Sequence, residues 1–246
     1  MTPNAQNAIE ILSKLMQKTS AAHMAYWVGP NVVLTLAGAR GYCDGVFWGD
    51  PKIVETWKQE IDSGLKVLNS ITDAYMCNSS ISTSTFGETG ASFDLILHEG
   101  LAYTLKSTNL LSISQNMIKD VPMQNIMTKL VSCLKEKHGN EYTDEDYGHI
   151  AFGILLGYPD DAIIGSTQAT EESPLKEANI TNANYYKCPQ PIYDYPMSIS
   201  DNKSIKAHEK LWSTILTDFY NSGFHRRLTA IPEFQQKLDE LELKPA

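Results

Sequence analysis

The chain has 246 residues and carries 20 Lys and Arg against 29 Asp and Glu, a formal net charge of −9 at neutral pH. With 42% hydrophobic and 9% aromatic residues its composition is that of a folded protein, which excludes global disorder. The acidic balance speaks against nucleic-acid binding, which needs clustered Lys and Arg, whereas the one Arg pair here is Arg226-Arg227.

In chain order, Ile9, Leu12, Leu15 and Met16 recur at helical spacing and predict a first amphipathic helix, with its stop signal near Gly29-Pro30. The apolar runs 32–36 and 46–48, with Gly38, Gly41 and Gly45 between them, predict two strands around an irregular turn. Asp50-Pro51 opens a long helix whose buried stripe is Val54, Trp57, Ile61, Leu65, Leu68 and Tyr75. Over 92–106, Phe93, Leu95 and Leu97 and then Leu101, Tyr103 and Leu105 alternate with polar or small residues. Because paired residues share a face, this predicts a hairpin with a three-residue loop, Leu97 facing Leu101, Leu95 facing Tyr103, and Gly100 left-handed.

The second half reads as mostly helical. Ile126, Met127, Leu130, Val131 and Leu134 form one stripe closed by His138-Gly139-Asn140. Thr143 and Asp146 predict a capping box in front of Tyr147, Ile150, Ala151, Ile154 and Leu155, with Gly157 as the stop and Pro159-Asp160-Asp161 opening a short further turn. Leu211, Trp212, Ile215, Leu216, Phe219 and Tyr220 mark another helix, and Phe234, Leu238 and Leu241 a last one after Pro232. Strands in the first half and helices in the second predict a single α+β domain over 1–246, a small antiparallel sheet packed with helices. Residues 166–204 show little periodicity and contain Pro174, Pro189, Pro191 and Pro196 with Tyr185, Tyr186, Tyr193 and Tyr195, a long loop or lid.

The cysteines Cys43, Cys77, Cys133 and Cys188 form no Cys-x-x-Cys pair and are too few for a disulfide scaffold, so a reduced compartment is expected. Residues 1–25 lack the basic start and apolar core of a secretory signal, and the uncharged apolar stretch 150–158 is far short of a bilayer span. A cytoplasmic location without membrane insertion follows as the expectation.

Candidate chemistry centres on Cys43, in the flexible run Gly41-Tyr42-Cys43-Asp44-Gly45. The run Cys43-Asp44-Gly45-Val46-Phe47-Trp48 resembles the nucleophile segment of NlpC/P60-type cysteine peptidases, and Gly148-His149-Ile150-Ala151-Phe152-Gly153 resembles their histidine strand. That resemblance implies a thiol hydrolase with Cys43 as nucleophile and His149 as base. It departs from the family in setting, since the cysteine there starts a helix and the histidine lies on a strand. Arg40-Gly41 and Ser82-Thr83-Ser84-Thr85 look like the arginine and Ser-Thr-Ser elements of an ADP-ribosyltransferase class, but the later Glu240-Leu241-Glu242 falls in a helical pattern. No zinc-peptidase, P-loop, dinucleotide-binding or nucleophile-elbow motif is present in the sequence, and neither a metal nor a cofactor is expected. Residues 233–246, with Glu233, Asp239, Glu240 and Glu242, resemble the glutamate-rich tails of bacterial type IV secreted effectors, which implies export to a host cytosol without an N-terminal signal.

No catalytic set satisfies its own geometry, while the aromatic segment has no assigned role. The leading expectation is therefore a protein-binding module that uses Tyr185, Tyr186, Tyr193 and Tyr195. A small cysteine hydrolase at Cys43 and His149 is the alternative, and an ADP-ribosyltransferase-like enzyme a further one.

Overall fold

A computed structural model describes residues 1–72, 74–111, 121, 123–170, 172–183, 185–186 and 194–243, with backbone only at 75, 76, 123 and 124. Helix α1 (Pro3–Lys18) starts on Thr2, whose hydroxyl accepts from the Ala5 amide at 3.2 Å, and buries Ala5, Ala8, Leu12 and Leu15. After a 3₁₀ turn (Ala22–Tyr26) comes α2 (Pro30–Leu36), every residue of which is buried. The run 32–36 is thus helix and not the expected strand. An apolar segment buried on all sides has no period to reveal its conformation, and the usable signal was Pro30 at the first helical position after Gly29.

Strand β1 (Tyr42–Gly49) leads into α3 (Pro51–Ile71), which Asp50 caps by accepting from the Lys52 amide at 2.9 Å. The stripe Val54, Trp57, Ile61, Leu65 and Leu68 is buried as expected, although the helix ends before Tyr75. Strands β2 (Ala74–Thr83) and β3 (Thr89–Leu97) form a hairpin, and β3 lies between β1 and β2 in an antiparallel three-stranded sheet. Its turn is held by Ser84, whose amide donates to Glu88 O at 2.8 Å, and uses Gly87 at φ 83°.

The predicted 92–106 hairpin is corrected here. Its first limb is β3, but its second is helix α4 (His98–Ser107). Leu101 and Leu105 are four apart as well as two steps of two, so the apolar pattern fits a helix face equally. Tyr103, the residue that should decide, is 41% exposed on the far side. Gly100 has no positive φ; it is needed because a Cβ there would lie 1.9 Å from the Arg40 carbonyl oxygen.

Helices α5 (Met123–His138), α6 (Asp144–Leu156) and α7 (Asp160–Thr167) follow. The α6 capping box of Thr143 and Asp146 is present, and Gly157 ends that helix at φ 76°. The 166–204 region is not an unstructured loop in its described parts: β4 (Leu175–Glu177) pairs with β5 (Asp194–Pro196), ahead of a 3₁₀ turn (Met197–Ile199). Helices α8 (Lys203–Tyr220), α9 (Gly223–Thr229) and α10 (Pro232–Glu240) complete the chain. The fold is α+β, with the small antiparallel sheet in the first half and helices dominating the second.

Two groups of buried side chains organise it. One joins α1, α2, α3, the inner sheet face and α8–α10 from Ala5 to Leu243, and the other joins Ile96, Leu101 and Leu105 to α5, α6 and Ile163. Tyr158 packs against both. No described helix is long and apolar enough to cross a membrane.

Two glycines test this packing in opposite directions. Gly100→Ala is expected to destabilise by about 1–3 kcal/mol, since the new methyl must displace the Arg40 backbone. Gly148→Ala, on α6 with open space where the Cβ would sit, is expected to stabilise by about 0.5–1 kcal/mol. Urea unfolding of both variants checks the pair; equal effects of one sign would contradict the placement of α4 against residues 40–41.

Candidate functional site

Cys43 is the second residue of β1 and has no exposed surface; it lies opposite Leu95, whose other neighbour across the sheet is Cys77. Burial pushes its thiol up to about 12, against smaller lowering effects of the Thr35 hydroxyl and the Arg40 charge, and Cys77 is pushed to about 12 for the same reason. A thiol in that state stays protonated and is a poor nucleophile. His149 sits on the exposed side of α6, whose opposite face buries Tyr147, Ile150, Ala151 and Ile154. Among the described residues no hydrogen bond joins it to Cys43, and strand and helix are exchanged relative to the peptidase resemblance. In the folded protein Cys43 should resist iodoacetamide at pH 6 and react only once denaturant opens the core; selective labelling of Cys43 in native buffer would restore the hydrolase expectation.

The transferase-like elements are equally dispersed. Arg40 precedes the Tyr42 end of β1, while Ser84 follows Thr83, which pairs with Thr89 at the Gly49 end. Seven steps of strand separate those ends, roughly 23 Å. Glu240 is held in the core margin, accepting from Trp57 Nε1 at 2.5 Å and from Lys237 Nζ at 2.8 Å. The acidic tail is packed as well, with Phe234, Leu238, Leu241 and Leu243 buried.

Arg40 itself is 2% exposed. Its Nε donates to Tyr42 O at 3.1 Å and its Nη1 to Asn31 Oδ1, and its guanidinium lies 6.0 Å from the Tyr158 ring and 5.5 Å from the Trp212 ring. Among the described residues no carboxylate reaches it within ion-pair distance. His208 packs on Trp212 with ring centroids 4.4 Å apart and planes tilted by 50°, and donates from Nε2 to Gly157 O at 2.8 Å.

The expected binding tyrosines Tyr186 and Tyr195 are part of the larger buried group, and Tyr185 packs half-buried against it. Tyr185 stacks on Tyr220 with ring centroids 3.9 Å apart, Tyr186 is fully buried with its hydroxyl 2.7 Å from His225 Nε2, and Tyr195 is buried and donates to Glu209 at 3.1 Å. Tyr193 lies outside the described residues. His225 Nδ1, 3.1 Å from Tyr220 O, must carry the ring proton as a donor, so Nε2 accepts from Tyr186. Three of the four rings therefore face their own protein, and the surface they were expected to form is not displayed by them.

Burial lowers both His208 and His225 from 6.5 to about 4, with the Arg40 charge adding to the shift at His208. The unfolded chain binds protons on these rings that the folded chain refuses. Their contribution is therefore complete above pH 6.5 and is lost as pH falls towards 4, roughly 2 kcal/mol for each ring by pH 5. The urea midpoint is expected to drop between pH 7 and pH 5, a window above most carboxylate titrations; a flat midpoint across it would contradict the buried neutral imidazoles.

Two surface features remain. A cleft of ≈540 Å³ is lined by Tyr103, Thr108, Tyr158, Asp160, Asp161 and His208 among others. Its carboxylates already serve the fold: Asp160 accepts from Thr108 Oγ1 at 2.6 Å and from the Asn109 amide at 2.7 Å, and Asp161 accepts from Asn202 Nδ2 at 3.0 Å. Among the described residues no group of three or more His, Cys, Asp or Glu is placed to hold a metal ion.

The other feature is the outer edge of β2. Among the described residues this strand has a partner on one side alone, and it contains no charge and no proline. Beyond it the hairpin tip holds Phe86 91% exposed, with Ile81 at 41% and Trp48 at 42% near the same end of the sheet. Sequence reasoning missed this edge because 74–83 lacks a clean alternation, though the uncharged run 74–87 in so acidic a chain was a usable signal. Comparison with protein-family models, with curated proteins and with solved structures found no match.

Proposed function

We propose that the chain is a protein-recognition module that works through the β2 edge and the β2–β3 tip, and not through the tyrosines of the 166–204 region. The observation that carries this reading is Phe86, a large apolar ring 91% exposed on a turn that four backbone amides, two of them donating to the Ser84 hydroxyl, hold in shape. A single exposed apolar residue is ordinary, but one presented on a hydrogen-bonded turn beside a strand edge that is unpaired among the described residues supplies both an anchor and a line of backbone donors and acceptors. Burying that ring in a partner would contribute about 1.5–3 kcal/mol, and each strand bond adds register.

The double variant Ile81→Lys, Phe86→Asp changes exposed positions alone, so its stability is expected to stay within about 0.5 kcal/mol of the parent. As immobilised bait it is expected to lose every protein that the parent chain retains specifically. Retention of the same proteins by both baits would overturn the reading.

A further inference from the structure

We infer that the cleft between α4, the α6–α7 connection (157–159) and α8 is a binding site for a neutral saccharide. It is separate from the β2 edge and does not depend on it. The volume of ≈540 Å³ lies in the range of small-molecule pockets, about 300–1,000 Å³. Its place in the fold is also that of a ligand site. Helices α4 and α6 belong to one buried group and α8 to the other, and the lining residue Tyr158 packs against both, so the cleft opens where two packed units meet.

Charge narrows the ligand first. Among the described residues the lining holds two carboxylates, Asp160 and Asp161, and neither Lys nor Arg, so a phosphate or carboxylate ligand would meet repulsion with nothing to hold it. A simple cation is no better matched. Asp160 and Asp161 open α7 and offset the positive end of that helix, Ser204 places the positive end of α8 at the same cleft, and the buried Arg40 guanidinium lies 6.0 Å from the Tyr158 ring. The two negative charges therefore have their counterweights within the fold, and what they offer a ligand is hydrogen-bond acceptance.

The unused polar groups describe the ligand next. Asp160 receives one donor on each oxygen, whereas Asp161 receives Asn202 Nδ2 on Oδ2 and, among the described residues, nothing on Oδ1. The Asn109 carboxamide and the Ser204 and Tyr103 hydroxyls likewise find no hydrogen-bond partner among the described residues, since Asn109 and Ser204 engage through their backbones. These groups come from four segments, α4, the stretch after it, α7 and α8, so tertiary structure alone brings them to one cleft. Together they supply an acceptor, an amide that does both, and two hydroxyls that do either. A ligand with several hydroxyls satisfies all four, because each of its groups also donates and accepts.

The aromatic ring completes the match. Tyr103 is 41% exposed on a helix that buries Leu101, Thr104 and Leu105, and it presents its ring to the cleft. A pyranose carries an apolar C–H face between its hydroxyls, which a tyrosine face covers while the polar groups take the hydroxyls. An aliphatic ligand would instead leave those groups desolvated and unpaired.

Saturation-transfer NMR of the full chain tests this with neutral di- and trisaccharides of hexoses and N-acetylhexosamines, with spermidine as the cationic probe and a hexose phosphate as the anionic one. At least one neutral saccharide is expected to receive saturation and to raise the urea midpoint, and neither charged probe is expected to do so. Tyr103→Ala is expected to weaken binding of that saccharide about tenfold by removing the ring face. Ala207→Phe, which fills the cleft from an exposed position of α8, is expected to weaken it about tenfold or more. Circular dichroism and urea unfolding of each variant separate loss of binding from loss of fold. Binding of spermidine or the hexose phosphate in place of every neutral saccharide overturns the ligand class. A chain that no saccharide of the panel engages through the millimolar range, or a saccharide that binds both folded variants as it binds the parent, overturns the site.

Discussion

The buried guanidinium of Arg40 is the constraint around which the rest of the chain is arranged. An isolated charge taken out of water costs several kcal/mol unless its surroundings compensate. Here they do so without a carboxylate among the described residues, through the Asn31 side chain, the Tyr42 carbonyl and the faces of Tyr158 and Trp212. Those partners come from α2, β1, the α6–α7 connection and α8, so the charge is satisfied only when four separate parts of the chain are in place. A guanidinium suits this role because it is planar, weakly hydrated and able to stack while it donates.

The backbone around Arg40 is confined as tightly as its side chain. The Gly41 amide donates to Leu155 O at 3.1 Å, a Cβ on Gly41 would lie 2.9 Å from that same oxygen, and one on Gly157 would lie 3.1 Å from Ala39 O. Together with Gly100 against the Arg40 carbonyl, these close approaches thread residues 39–41 between α4 and α6. The neutral imidazole of His208 belongs to the same economy. Protonating it would set a second cation beside Trp212 and Arg40, so acid sensitivity is a consequence of how the first charge is housed.

What could be read from residues alone follows from how much of each element's pattern is local. The α6 capping box, the α3 stripe and the helix carrying Trp212 were legible because spacing and caps repeat the same message over several turns. The 32–36 run and the second limb of the supposed hairpin were not. In both, five or so residues fit two periods, and the decision was made by long-range packing against Arg40 and its neighbours. The candidate site was less legible still: the tyrosines of 166–204 drew notice for their type, yet Tyr185, Tyr186 and Tyr195 are consumed by Tyr220, His225 and Glu209, partners 14 to 39 positions away in sequence.

The distribution of charge sets β2 and its turn apart from the elements around them. A chain at −9 distributes its acidic groups over caps, ion pairs and loop anchors, as Asp50, Asp62, Asp146, Asp160 and Asp161 show by their bonds. Most surfaces of such a molecule repel an acidic partner and hold water strongly. Residues 74–87 carry no charge, a strand and turn of Ser, Thr, Asn and apolar side chains in which, among the described residues, β2 pairs along one side alone. Edge strands elsewhere are blunted by charge, proline or cover, because an open one pairs with whatever strand arrives. Here the blunting residues are absent from the strand.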